Sequence, residues 1–200
     1  MLHFSETEVN ENDPILFIHG IGASRWMWWQ QEKAFSDYPI ILVDLPGHGK
    51  SVSVPWTSLR DATDLIAREI LGNRAVHVVG IYLHKIAREY YHLPPNKVSD
   101  FITNYRLLTS ETYETIWKEI MQFRLDQSYG KITAPCLFAA GDQESHGILE
   151  AVKIAPEFIP NSVGRLIPGA QHAWPVQKAH EFNQLLRAWL NCLHDEKHGE

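Results

Sequence analysis

Four short stretches of this chain gather residues able to do chemistry: His19-Gly20-Ile21-Gly22, Gly80-Ile81-Tyr82-Leu83-His84, Gly141-Asp142-Gln143-Glu144 and Gly169-Ala170-Gln171-His172. A turn through Gly20 and Gly22 offers backbone N–H groups that can hold a developing negative oxygen. An imidazole takes and returns protons near neutral pH, and a neighbouring carboxylate can orient it. Acyl-transfer chemistry needs such a base, such an acid, two N–H donors and a nucleophile.

Around these stretches the chain alternates apolar runs of strand type with helical patterns. Pro14 to Ile18 and Ile40 to Val43 are continuous apolar runs, as buried parallel strands are. Val76 to Val79 is β-branched, ends at Gly80 and passes without a loop into Leu83, Ile86, Ala87 and Tyr90 at helical spacing, a sharp corner. Ser24 to Phe35 reads as a helix whose Trp26, Trp28 and Trp29 form a packing cluster beside the pocket mouth, within reach of substrate. Thr57 or Ser58 caps a helix over Leu59 to Ile70 that Gly72 stops. Pro94-Pro95 is a break, and Val98 to Thr103 reads as a further strand. Ser110 to Arg124 is helical, Cys136 to Ala140 a buried strand, Gly147 to Phe158 a helix, Val163 to Ile167 the last strand. Val176 to Leu193 is a core helix with Phe182, Leu185, Leu186, Trp189 and Leu190 on one stripe. This order predicts an α/β fold, a doubly wound, mostly parallel sheet with helices on both faces, in one domain over residues 1–200.

Two hundred residues with 44% apolar content suffice for a full core. The net charge of −6, with both signs interspersed, leaves no basic block for nucleic acid or an anionic membrane. No apolar run approaches the roughly 18 residues of a membrane span, and the first twelve residues lack a basic and an apolar leader region, so a cytoplasmic location is expected. Cys136 and Cys192 lack CxxC spacing and read as reduced structural thiols. No phosphate loop or dinucleotide fingerprint is present and the tail histidines lack a third ligand, so neither cofactor nor metal is expected.

The corner at Gly80, together with His19-Gly20-Ile21-Gly22, Asp44-Leu45-Pro46-Gly47-His48-Gly49 and Gly169-Ala170-Gln171-His172, resembles the α/β-hydrolase fold family over about Pro14 to Leu193. The resemblance implies that His172 is the general base and Glu144 the triad acid, with Asp142 one step away as the alternative. It implies that the N–H groups of Ile21 and Leu83 are the oxyanion donors and that the turn holding His48 is structural. The family's G-x-S-x-G reads here as Gly80-Ile81-Tyr82-Leu83-His84, so Tyr82 stands at the nucleophile position and His84 replaces the last glycine. The cap inserted in many such proteins is reduced to about one helix within about 104–135.

A phenol has a pKa of about 10, and its oxygen lies roughly four ångströms farther from the backbone than a serine hydroxyl, so Tyr82 overshoots the reacting position. Two expectations follow. One is a weakened hydrolase of small esters or related acyl compounds. The other is a non-catalytic pseudoenzyme with a degenerate elbow that binds a small ligand or a partner. Apolar surface left by the missing cap would favour a homo-oligomer.

Overall fold

The apolar runs at Ile15 and Ile40 become neighbouring strands because neither has a polar side to turn toward water. In the computed structural model, which describes residues 1–7, 11–80 and 95–198, the chain divides into two units, Met1–Gln122 and Phe123–Glu200. In the first, β1 (His3–Glu6), β2 (Ile15–Ile18), β3 (Ile40–Asp44) and β4 (His77–Gly80) form one sheet in the order β1-β3-β2-β4. β2 pairs in parallel with β3 and β4, and β1 runs antiparallel to β3 with His3 opposite Asp44. β1 is an addition to the elements read from sequence. Its HFSE carries little strand signal of its own. It is held by β3, by the Leu2 N–H on Glu69 Oε2 at 2.7 Å and by the His3 N–H on Ser51 Oγ at 2.8 Å.

Helical segments cover both faces of this sheet. α1 (Trp29–Ala34) follows a 3-10 turn over Arg25–Trp28, and Phe17 of β2 meets Trp28 at 5.0 Å and Phe35 at 6.5 Å between ring centroids. On the other face, α2 (Leu59–Ile66) continues through a π turn to Leu71 and stops at Gly72. Ser58 caps it by accepting the Asp61 N–H at 3.0 Å. Ile66 and Ile70 pack with Leu16, Ile41 and Val43, and full burial of each such side chain stabilises by about 1.5–3 kcal/mol.

The expected strand at Val98 to Thr103 is not a strand: it lies inside α3 (Pro95–Leu107). Helical spacing decides the matter, because it puts Phe101 and Tyr105 four apart and in contact at 5.9 Å. It also pairs Lys97 with Asp100 at 3.3 Å and lets the Asn104 amide donate to the Asp100 carbonyl at 2.7 Å. α4 (Ser110–Gln122) is the full helix within 104–135, followed by a 3-10 turn at Gln127–Lys131. Glu119 of α4 accepts the Leu59 N–H on both oxygens, at 3.0 and 3.1 Å, and the Trp56 indole N–H at 3.0 Å. The helix thus supplies a negative charge to the N-terminus of α2.

In the second unit β5 (Cys136–Gly141) and β6 (Ser162–Ile167) pair in parallel, from Cys136 opposite Ser162 to Gly141 opposite Ile167. α5 (His146–Phe158) connects them and buries Val152 and Ala155. α6 (Trp174–Gln177) leads into α7 (Ala179–His198), where Trp174 meets Phe182 at 5.1 Å and Leu186 and Leu190 are buried.

The loops after β2 and β3 are tied together by the buried imidazole of His19, whose ring lies 5.2 Å from that of the buried His48. His19 donates from Nδ1 to the Gly20 carbonyl at 2.8 Å and accepts the Leu45 N–H on Nε2 at 3.0 Å. His48 donates from Nδ1 to the Pro46 carbonyl at 2.8 Å. Burial, and then the neighbouring His48, push His19 down to about 3, and burial also lowers His48. Unfolding frees both to protonate near 6.5, so below that pH the unfolded chain gains protons that the folded chain refuses, and stability falls as pH falls. His19 alone predicts a loss of about 2 kcal/mol between pH 7 and pH 5. Asp61 and Asp126, whose carboxyls are held below their ordinary range by hydrogen bonds from Thr57 and Ser58 and from Ser128, act only below about pH 4. Urea unfolding at the two pH values should show the lower midpoint at pH 5, and equal midpoints would contradict the neutral, buried state of the pair.

Candidate active site

The parallel register of β5 and β6 sends the two loops that follow them out at the same sheet edge. At Gly141 those loops touch through backbone: a Cβ there would lie 2.0 Å from the Ala170 carbonyl oxygen, so no side chain fits. The Asp142 N–H donates to the Ile167 carbonyl at 3.0 Å and the Gln143 N–H to the Ala170 carbonyl at 3.1 Å. Asp142 Oδ1 in turn accepts the Gly169 N–H at 2.9 Å. Asp142 is therefore occupied in holding the β6 loop.

Two residues on, Glu144 has Oε1 2.5 Å from His172 Nδ1 and Oε2 accepting the Ser145 N–H at 3.3 Å. His172 is 7% exposed. A carboxylate on Nδ1 fixes the tautomer with its proton there, which makes Nε2 the basic nitrogen. Held in this way, the ring can accept a proton at Nε2 while Glu144 stabilises the imidazolium that forms. Of the two carboxylates left open by the sequence, it is Glu144 that meets the histidine.

In the first unit Ile21 occupies the turn after β2, closed by the Ala23 N–H on the Gly20 carbonyl at 3.2 Å, with Gly22 at φ +77°. Ile21 is buried, and among the described residues no group accepts its N–H. Tyr82, Leu83 and His84, and with them the expected corner and its helix, lie outside the described residues. The expected tryptophan cluster divides: Trp28 enters the core, while Trp26 and Trp29 are half-buried and stacked at 6.3 Å. Trp26 also meets Phe101 of α3 edge-on at 6.3 Å, and Lys97 sits 5.6 Å from the Trp29 ring. Sequence reading missed Phe101 and Tyr105 as neighbours of this loop; their i, i+4 spacing was the available signal.

Asp44 is a buried carboxylate. It accepts the N–H groups of Arg25 at 2.9 Å and Lys50 at 3.0 Å, and lies 3.6 Å from His3 Nδ1 and 3.9 Å from Arg25 Nε. A Cβ at Gly49, where φ is +51°, would fall 2.6 Å from its Cγ. These partners give Asp44 a scaffolding role in the turn that also buries His48. Among the described residues no group of three or more His, Cys, Asp or Glu could hold a metal ion, and no helix is long and apolar enough to cross a membrane.

The contact between Glu144 and His172 predicts a strongly deshielded Nδ1 proton on His172. Proton NMR with selectively labelled histidine should show that resonance in the parent protein, retain it in Asp142→Asn and lose it in Glu144→Ala. Its loss in Asp142→Asn with retention in Glu144→Ala would reassign the pair.

A family model described as "Alpha/beta hydrolase family" matches residues 15–81. A curated relative, 2-succinyl-6-hydroxy-2,4-cyclohexadiene-1-carboxylate synthase of Escherichia coli, is 35% identical over 57 residues, which is 28% of this chain and 23% of that protein. The matched stretch thus spans less than a quarter of the relative's length. Among solved structures, MenH from S. aureus superposes with a TM-score of 0.69 at 17% identity, covering 96% of this chain and 98% of that one. A thermophilic esterase from Thermogutta terrifontis gives 0.70 at 17%, covering 96% and 94%. A lipase-esterase related protein from Clostridium acetobutylicum gives 0.71 at 18%, covering 94% and 99%. At these identities the likeness is one of fold, and it agrees with the order of strands, turns and helices described above. The chain has the α/β-hydrolase fold.

Proposed function

We propose that this chain is a descendant of the ester or related acyl hydrolases, takes a small ester-like or acyl ligand, and hydrolyses it weakly because Tyr82 stands where the serine nucleophile belongs. The observation that carries this reading is the hydrogen bond between Glu144 and His172. A buried imidazole oriented by a carboxylate is a base prepared for proton transfer, and it comes from the loops after the last two strands, where the family keeps it. In this reading His172 is the base, Glu144 orients it, and the N–H groups of Ile21 and Leu83 receive the oxyanion. The whole chain, 1–200, acts as one hydrolase-like domain. A second reading, a pseudoenzyme that only binds its ligand, is favoured by the sequence at Tyr82 and His84.

Turnover of p-nitrophenyl acetate separates the two. In a serine protease, losing the nucleophile costs around 10⁶ in kcat and leaves about 10³ to 10⁴ over water. The parent chain should therefore be slow and show no saturation, and Tyr82→Ser should recover little while His84 still disturbs the corner. Tyr82→Ser with His84→Gly should recover more, and adding His172→Ala should remove that gain. An inert double variant would refute descent from a working acyl hydrolase at these positions. Saturable, multiple turnover by the parent chain that His172→Ala abolishes would rule out the non-catalytic reading.

A further inference from the structure

The turn that holds the Ile21 N–H has an aromatic ring beside it that neither the fold nor the core requires. Tyr105 of α3 lies over Gly22, with its Cδ2 3.4 Å and its Cε2 3.8 Å from where a Cβ on that glycine would be. Gly22 follows Ile21 directly, so their Cα atoms are about 3.8 Å apart. Tyr105 is 52% exposed, which leaves much of its ring open to solvent next to Ile21, whose N–H has no acceptor among the described residues. From Tyr105 the rings continue without a break: Phe101 at 5.9 Å, Trp26 at 6.3 Å from Phe101, and Trp29 stacked on Trp26 at 6.3 Å. Phe101, Trp26 and Trp29 are only half-buried.

We infer that Tyr105 is a specificity-determining residue that selects acyl ligands carrying a flat aromatic group. This rests on the acyl-ligand reading above and adds the class of acyl group. An oxygen of the ligand accepts the Ile21 N–H, and one or two bonds away an aryl group reaches the ring of Tyr105. Arylacetyl compounds have that length, whereas an acetyl group ends short of the ring. Offset or edge-to-face contact between the two rings adds attraction beyond the area it removes from water. A two-ring aryl group extends along the wall toward Phe101.

The test uses carboxylates, whose oxygens stand for the oxyanion, so that it needs no turnover. Isothermal titration of the whole chain with 2-naphthylacetate and with acetate should show binding of the first at least about tenfold tighter, from ring contact and apolar burial. Tyr105→Phe should keep that preference. Tyr105→Ala and Tyr105→Leu should both lose about tenfold for 2-naphthylacetate and leave acetate unchanged. The leucine variant keeps an apolar contact with Gly22 and guards against a collapsed helix in the alanine variant. Tyr113→Ala, which removes another exposed ring, on α4, should bind as the parent does. Equal affinity for both carboxylates, no binding of 2-naphthylacetate by the parent chain, or undiminished binding by the leucine variant would overturn the assignment. Tyr105-dependent binding with no ester turnover by any variant defeats only the hydrolase reading. His172-dependent turnover with no aryl preference defeats only this one.

Discussion

Glu144 reaches His172 because two loops lie closer together than side chains allow. At Gly141 the backbone of the β6 loop takes the place that a Cβ would occupy, and the N–H groups of Asp142 and Gln143 bond across the gap. That contact fixes the spacing of the two loops before any side chain is considered. Asp142 then spends its carboxylate on the Gly169 N–H, and Glu144, two residues later in a turn closed by its N–H on the Gly141 carbonyl, is left to meet the imidazole. The His172 ring is buried and the Glu144 side chain is 10% exposed, so their dipoles act in a less screened setting than water provides. The contact between Glu144 and His172 therefore depends on a glycine that carries no functional group.

The same logic governs the first unit, where buried polar groups rather than a ligand shape the turns. Asp44 accepts N–H groups from the segments on either side of it, and His19 bridges from its own loop to Leu45. These bonds hold the turn in which the Ile21 N–H has no acceptor among the described residues. Tyr105 reaches that turn only because α3 is a helix.

Much of this was legible in the sequence, for identifiable reasons. β2 and β3 announce themselves as apolar runs ending in a turn, since strands buried on both faces tolerate no alternation, whereas β5 and β6, only partly buried and with Gly164 and Arg165 inside β6, were legible from the glycine turns that follow them. The histidine loop and the acidic loop were legible from their position after such runs. β1 was not, because its conformation comes from pairing with β3 rather than from its own four residues. Residues 98–103 misled because β-branched and aromatic content spoke for a strand, while the contacts that make a helix there, Phe101 on Trp26 and Tyr105 on Gly22, lie far away in sequence. The choice between Asp142 and Glu144 likewise depended on a backbone partner, Gly169, that no local pattern reveals. Ser24 stands at the start of its helix as expected, but its side chain makes no cap bond, because the segment opens as a 3-10 turn.

The central claim is that the base and its acid are in place while no activated nucleophile accompanies them. Intact mass measurement after incubation with a fluorophosphonate probe examines this directly, because such probes form adducts only with an activated hydroxyl. The account predicts no adduct on the parent chain and one equivalent on the Tyr82→Ser, His84→Gly variant. A single adduct on the parent chain that disappears in His172→Ala would contradict it.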